Sequence, residues 1–368
     1  MENRLKDLLP LYKGRKVFVT GHTGFKGSWL TLWLKQLGAD VMGYSLSEYD
    51  SPCMFKALEL SGVCRHVQGS VADYQALRAA VEAFQPEIVM HLAAQPLVRP
   101  SYDDPLGTLG TNVMGTAMLL DACRFTPSVH AVVIVTSDKC YRNNEWVWPY
   151  RENDPMGGHD PYSASKGCAE LVTASYIKSF FAPERYGKDH HVAVASARAG
   201  NAIGGGDWGK DRLIPDCFRA LHEGRTIRIR YPRAVRPWQH VLECLSGYLQ
   251  LGAQLLKHGP KFGCGWNFAP IDMGDVWPVE RVVRFICEKW GNGGYEVDSA
   301  PQPYEASMLC LDCTKASIEL GWRPRYPVAR ALSETLSWYK EWSVNGDAAH
   351  MREYTLRQIE AYVDALPQ

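Results

Sequence analysis

Lys16-Val-Phe-Val-Thr20-Gly21-His-Thr-Gly24-Phe-Lys-Gly27 decides the fold. A short apolar run meets a turn with a glycine at every third place. Residues 28–37 follow with apolar side chains at 29, 30, 32, 33, 34 and 37, a helical pattern that Gly38 stops. Strand, glycine turn and helix in that order bring helix N–H groups to a pyrophosphate, and the glycines let the backbone approach it. The spacing is Gly-x-x-Gly-x-x-Gly rather than Gly-x-Gly-x-x-Gly. Gly21, Thr23, Gly24, Phe25, Lys26 and Gly27 are the candidate contacts of a dinucleotide.

Strand-like runs recur at 40–45, within 62–69, and at 87–93, 131–136 and 191–196, with helical segments at 74–84, 104–124 and 162–181 between them. Apolar strands alternating with helices predict an α/β fold, a doubly wound parallel sheet covered on both faces. Its ligands belong beyond the carboxyl ends of the strands. After about residue 197 the rhythm breaks. The segments 204–209 and 231–238 are loop-rich, helices are expected at 241–257 and 278–290, and the tail from about 329 has apolar residues at 332, 336, 339 and 342. The reading is a dinucleotide-binding domain over 1–197 with a returning segment at 238–262. A second, smaller mixed α/β lobe takes 198–237 and 263–368.

The chain of 368 residues is long for one core. Lys plus Arg and Asp plus Glu balance at 40 each, so no global field favours nucleic acid or an acidic membrane. No run is long and apolar enough to span a bilayer, and the opening residues lack a signal-peptide core, which makes the cytoplasm the default. Eleven cysteines are scattered and read as reduced thiols. Cys310-Leu-Asp-Cys313 has metal spacing but no second Cys/His pair nearby, so it reads as packing and no metal is expected.

Chemistry enters with Tyr162-Ser-Ala-Ser-Lys166 and Ser137-Asp138-Lys139. A tyrosine and a lysine four apart share one helix face. A phenol is a poor base near neutrality, and a nearby ammonium lowers its pKa. Beside a dinucleotide the pair reads as proton and hydride transfer at a carbon–oxygen bond. Ser137 ends an apolar strand, where its hydroxyl meets either a substrate oxygen or only the local backbone.

Gly21-x-x-Gly24-x-x-Gly27, His91-Leu-Ala-Ala94, Asn112-Val-Met-Gly-Thr116, Thr136-Ser-Asp-Lys-Cys-Tyr141 and Tyr162-x-x-x-Lys166 together resemble the extended short-chain dehydrogenase/reductases. Within them the chain is similar to the nucleotide-sugar 4,6-dehydratases over about residues 14–340. Gly21-His-Thr-Gly-Phe-Lys-Gly27, Ala94-Gln-Pro-Leu-Val-Arg99 and Ser137-Asp-Lys139 are similar to the branch acting on CDP-glucose. The resemblance implies NAD, held also by Ser70, Val71, Leu92, Ala93, Ala94 and Asn112. It implies that Tyr162, with Lys166 and Ser137, takes the sugar 4-hydroxyl proton, and that Asp138 is the acid for the departing 6-hydroxyl. Lys139 stands where the dTDP-glucose branch has a glutamate base. Burial, Lys166 and the nicotinamide cation are expected to lower its pKa, so it either takes the C5 proton as a neutral amine or only hydrogen-bonds the enolate.

The end of the second strand, Tyr44-Ser45-Leu46, offers neither an acid for a ribose nor an arginine for a 2′-phosphate, so the residues alone leave NAD and NADP open. For the sugar diphosphate the resemblance points to Asn201, Arg212 and Arg236, with Arg99, Tyr304 and Glu305 nearby. It also implies a homodimer formed through helices near 104–124 and 162–181. Two other functions remain in view: another nucleotide-sugar enzyme, such as a 4-epimerase or a dTDP- or GDP-hexose dehydratase, and a non-catalytic NAD-sensing protein. An epimerase needs no acid at Asp138, and NAD sensors tend to lose the tyrosine and lysine.

Overall fold

β-Branched and small apolar side chains line both faces of the strands, so the strands are buried on both sides. In the computed structural model, which describes residues 4–47, 52–270, 276–291, 293–298, 309–365 and 367, β1 (Lys16–Thr20), β2 (Asp40–Ser45), β3 (Arg65–Gln68), β4 (Ile88–His91), β5 (Ala131–Val135) and β6 (Ala193–Ala199) run parallel. A seventh strand, Gly265–Phe268, pairs with the free edge of β6. From that edge inward the order is β6, β5, β4, β1, β2, β3. The chain winds outward from β1 through β2 to β3, then returns to place β4 on the other side of β1. That reversal opens a crevice above β1 and β4.

Alternation along the strands builds two cores. Val17 and Val19 point to the side covered by helices Phe25–Gln36 and Val241–His258. Phe18, Val132 and Ile134 point to the side covered by helices Tyr74–Phe84, Gly115–Arg124 and Pro161–Ser179. Each large apolar side chain so buried contributes about 1.5–3 kcal/mol.

The helix expected over 104–124 runs without a break from Pro105 to Arg124, with a π-turn at Gly110–Met114 inside it. The structure departs from the sequence reading in two places. Strand Gly265–Phe268 joins the main sheet rather than the second lobe. The tail helix Ala348–Asp364 packs on the first half of the molecule: Tyr362 meets Trp33 edge-on at 6.0 Å, Gln36 donates to Glu360 at 2.9 Å, and Arg352 Nη1 donates to the Leu58 carbonyl at 2.9 Å. Both departures in lobe assignment have one cause. A short apolar run and an amphipathic helix carry no mark of which distant surface they cover.

Candidate active site

Gly21, with φ +72°, opens the glycine loop, and a Cβ there would lie 2.7 Å from the Ala93 backbone nitrogen. A Cβ on Gly27 would lie 2.1 Å from the Gly21 carbonyl oxygen. Gly24 caps helix Phe25–Gln36 without a side chain, so the first-turn N–H groups face the crevice with no side-chain cap. This cradle is full of bare backbone and helix-dipole charge, which fits a dinucleotide pyrophosphate. Thr23 Oγ1 and Ser45 Oγ are 2.8 Å apart and join the loop to β2. His22 is buried with Nε2 2.7 Å from His66 Nδ1, and burial, with His66 second, pushes its pKa down to about 3, leaving it neutral.

The loop after β4 forms the other wall. Ala93 N donates to Thr20 Oγ1 at 3.2 Å, and the same hydroxyl meets His91 Nδ1 at 2.7 Å. Leu92 and Ala94 flank it, half-buried. Ser70 and Val71 follow β3. The Ser70 carbonyl accepts the Tyr44 hydroxyl at 3.1 Å, and Val71 packs so closely on Gly115 that a Cβ there would meet it at 2.7 Å. Asn112 is engaged within the protein. Its Oδ1 accepts from Gln95 N at 2.8 Å, and its Nδ2 donates to the Gln95 carbonyl at 3.0 Å and to Ser165 at 2.8 Å. With both polar atoms engaged, it fixes the loop from within the π-turn, a common setting for functional side chains.

The Ser137-Asp138-Lys139 turn leaves the end of β5 and faces the first turn of helix Pro161–Ser179. That helix starts cleanly, with Asp160 accepting from Ser163 N at 2.9 Å and Pro161 at its first position. Ser101 Oγ accepts from Tyr162 N at 3.2 Å. Ser137 Oγ donates to Asp138 Oδ1 at 2.9 Å, and Lys139 Nζ donates to the same oxygen at 3.3 Å. Asp138 is 2% exposed.

Three charges set the reactivity. Burial raises the pKa of the Tyr162 phenol, against the pull of Lys139, a hydrogen bond with Ser137 and the charge of Arg212. Lys139 is the foremost group lowering the pKa of Tyr162. Burial, then Lys26, pushes Lys166 down to about 8. Lys139 goes the other way from expectation. Burial depresses it, but Asp138 and Tyr162 beside it outweigh that, and its pKa is raised.

The arginines surround the mouth of this site. Arg236 is buried, donates to the Val235 carbonyl at 2.9 Å and lies close enough to Lys139 to act on it. Arg212 pairs with Asp207 at 2.9 Å and acts on Tyr162. Arg99 pairs with Asp211 at 3.2 Å, as does Arg230 at 3.5 Å. Asn201 follows β6, half-buried, and its carbonyl accepts from Gln239 N at 3.1 Å. Tyr304 and Glu305 lie outside the described residues. Cys310 and Cys313 are buried free thiols, and Cys313 Sγ accepts from Ala269 N at 3.0 Å, which makes their spacing a matter of packing. Among the described residues no cluster of three metal-binding side chains occurs, and no helix is long and apolar enough to cross a membrane.

Sequence reasoning missed Asp207, Asp211, Ser101 and Glu170. Glu170 alone carried a signal, since it stands one helical turn beyond Lys166.

A doubly wound sheet with a glycine loop at its switch point and a buried Tyr/Lys pair beside it defines a nicotinamide-dependent enzyme of the short-chain dehydrogenase/reductase type. The chain belongs to the nucleotide-sugar 4,6-dehydratases: the family model described as GDP-mannose 4,6 dehydratase matches residues 18–335. It is 49% identical to a CDP-glucose 4,6-dehydratase of Salmonella typhimurium over 96% of this chain and 98% of that protein. It is 29% identical to a dTDP-glucose 4,6-dehydratase of Streptomyces antibioticus over 75% and 76% of the two chains. Among solved structures, a dTDP-glucose 4,6-dehydratase of Streptomyces venezuelae with NAD bound superposes with a TM-score of 0.75 at 23% identity, covering 89% of this chain and 97% of that one. A UDP-glucose 4-epimerase of Thermotoga maritima does so with 0.76 at 21%, covering 90% and 100%. These two likenesses establish the fold.

Proposed function

We propose that the protein converts CDP-D-glucose to CDP-4-keto-6-deoxy-D-glucose and water, using NAD. The observation that carries this reading is the Asp138–Lys139 pair, its carboxylate buried, which shares the site with Tyr162. Oxidation at C4 alone has no use for an acid beside the tyrosine, whereas elimination across C5–C6 has. The 49% identical relative carries the name of this activity.

NAD held by the glycine loop would supply a hydride acceptor for C4, a hydride donor for C6 once reduced, and a positive ring. Tyr162 acts as the phenolate, which the cofactor's positive ring and the Lys139 ammonium favour against burial; its Oη accepts the 4-hydroxyl proton, with Ser137 placing that oxygen and Lys166 holding charge at the cofactor side. The 4-ketone acidifies C5–H. Lys139 is an ammonium in the free site, so its amine arises by proton transfer to Asp138 rather than by titration. The amine takes the C5 proton, the Asp138 carboxylic acid protonates the departing 6-hydroxyl, and water leaves. The ion pair is then restored, one proton having moved from C5 to the leaving oxygen; as hydride reaches C6 the Lys139 ammonium protonates C5, and the proton Tyr162 took from the 4-hydroxyl passes to Lys139, so the protein ends the cycle as it began.

Arg236, Arg212, Arg99 and Asn201 hold the diphosphate, and Arg230, which shares Asp211 with Arg99, joins them in this reading. The sheet half serves the cofactor, and segments around 198–237 and beyond 276 serve the nucleotide sugar. Tyr102, Leu106, Leu109, Met114 and Leu171 expose apolar surface on neighbouring helices. Leu106 is 79% exposed, and a second copy of this chain covers that face. Sedimentation of Leu106→Glu/Leu171→Glu tests the dimer, with a monomer expected.

The activity is tested by mass spectrometry of protein supplied with NAD and, separately, CDP-, dTDP-, UDP- and GDP-glucose. Loss of one water from CDP-glucose alone, without net reduced cofactor, is expected. An unchanged mass with inverted C4 would make it an epimerase.

A further inference from the structure

We infer that Glu170 is a positioning residue for the Tyr162/Lys166 pair, its carboxylate pinning helix Pro161–Ser179 to the chain that leads into Ser137. The inference rests on the dehydratase reading for its kinetic part and on geometry for the rest.

Glu170 is 5% exposed. Its Oε1 accepts from Thr136 Oγ1 at 2.5 Å, and its Oε2 accepts from Ser196 Oγ at 2.7 Å and Arg198 Nη2 at 2.8 Å. One turn earlier, Lys166 Nζ reaches the Val135 carbonyl at 3.5 Å. Two successive turns of the helix thus grip two successive residues, Val135 and Thr136, directly before the Ser137-Asp138-Lys139 turn. Helix and turn carry opposite halves of the reacting centre, so their relative height is set here.

The same carboxylate reaches further. Arg198 Nη1 donates to the Tyr141 hydroxyl at 2.6 Å, and that hydroxyl donates to Asn267 Oδ1 at 2.8 Å. Asn267 Nδ2 in turn donates to the carbonyls of Tyr150 at 2.9 Å and Asp312 at 3.1 Å. The network therefore joins the catalytic helix to the edge strand and to the segment beside the substrate arginines. A buried ion pair adds little net stability compared with apolar side chains of the same volume, so its placement is the informative feature.

Electrostatics agrees. Lys166 faces Lys26 from the glycine-loop helix, Cys140 from the turn after β5, neutral His91 from β4 and Glu170 from its own helix. Of these, Lys26 depresses its pKa while Glu170 and Cys140 raise it. Cys140 is itself a buried thiol raised well above its ordinary value, which leaves Glu170 as the anion near neutrality.

The test compares Glu170→Gln, Thr136→Val and the unaltered protein. In Glu170→Gln kcat with CDP-glucose is expected to fall roughly ten- to a hundredfold with KM unchanged, and the alkaline limb of the kcat profile to move to lower pH. Thr136→Val is expected to lower kcat without moving that limb. The Nζ resonance of Lys166 in 15N-lysine-labelled protein, followed against pH without substrate, is expected to titrate lower in Glu170→Gln. An unshifted Lys166 titration, or wild-type kcat in Glu170→Gln, overturns the inference. If Glu170→Gln fails to fold, Glu170→Gln/Arg198→Met removes both buried charges together and carries the same readouts. No turnover of CDP-glucose by the unaltered protein would strike the dehydratase reading, while the substrate-free titration still decides the role of Glu170.

Discussion

Lys139 Nζ lies 3.3 Å from Asp138 Oδ1, in a pair whose carboxylate is buried while the lysine side chain keeps 30% of its surface exposed. The amine end thus reaches the crevice and the acid end is shielded. Lys139→Met should lower kcat about 10²–10⁴-fold, the usual worth of a positioned acid–base group. It should slow C4 oxidation less than elimination, because Lys139 also favours the Tyr162 phenolate, so that a slowed single-turnover burst of reduced-cofactor absorbance persists while turnover is lost. Loss of the burst together with turnover would give Lys139 a role in binding instead.

Tyr162→Phe should lose both the burst and turnover. Its burial raises the phenol pKa, so deleting the hydroxyl should not lower the melting temperature, which a thermal scan checks.

Asp211 has left-handed backbone, φ +60°, and pairs with both Arg99 and Arg230. The carboxylate occupies these arginines before a diphosphate arrives. Exposed pairs of this kind are worth about 0.2–1 kcal/mol, so Asp211→Asn should lower KM for the nucleotide sugar by up to about fivefold without changing kcat. Initial-rate kinetics at low salt would show it.

Gly27→Ala drives a methyl group into the Gly21 carbonyl. Backbone strain of ~1–3 kcal/mol in the glycine loop should weaken NAD binding by about tenfold or more. Fluorescence titration with NAD measures this.

Glu243 is buried in helix Val241–His258, where it accepts from Arg325 N at 2.9 Å, Tyr326 N at 2.7 Å and the Tyr362 hydroxyl at 2.7 Å. Burial outweighs these bonds and raises its pKa from 4.5 to about 7. The folded state therefore binds a proton that the unfolded chain has released. Stability falls as pH rises from the unfolded value through the folded one, by up to about 3 kcal/mol. Denaturant midpoints at about pH 5 and about pH 8 should differ in this sense, and Glu243→Gln should flatten the difference.

The strands, the glycine loop and the Tyr162/Lys166 face were legible because each is a local pattern with a period. The π-turn within the 104–124 helix left its mark only as small residues around Asn112. The partners of Glu170 were not legible: Thr136 follows β5 while Ser196 and Arg198 lie in β6, and nothing in their spacing says that their side chains converge. Nor did any signal in the arginine-rich loops reveal that Asp207 and Asp211 already hold two of the arginines expected to meet substrate. The charge of Lys139 was misjudged for a related reason. Burial was inferred, but the neighbouring carboxylate and phenol that outweigh it depend on geometry.

The tail helix, lying on the helix that follows the glycine loop, has a kinetic consequence. With Tyr362 against Trp33 and one apolar core running through both lobes, the lobes cannot swing apart as rigid bodies. Entry of the sugar nucleotide and escape of the product should therefore depend on local rearrangement of the 204–212 loop, where Arg212 would exchange Asp207 for the incoming anion. Viscosity and salt should then govern turnover more than any hinge, and the cofactor should stay seated from one cycle to the next.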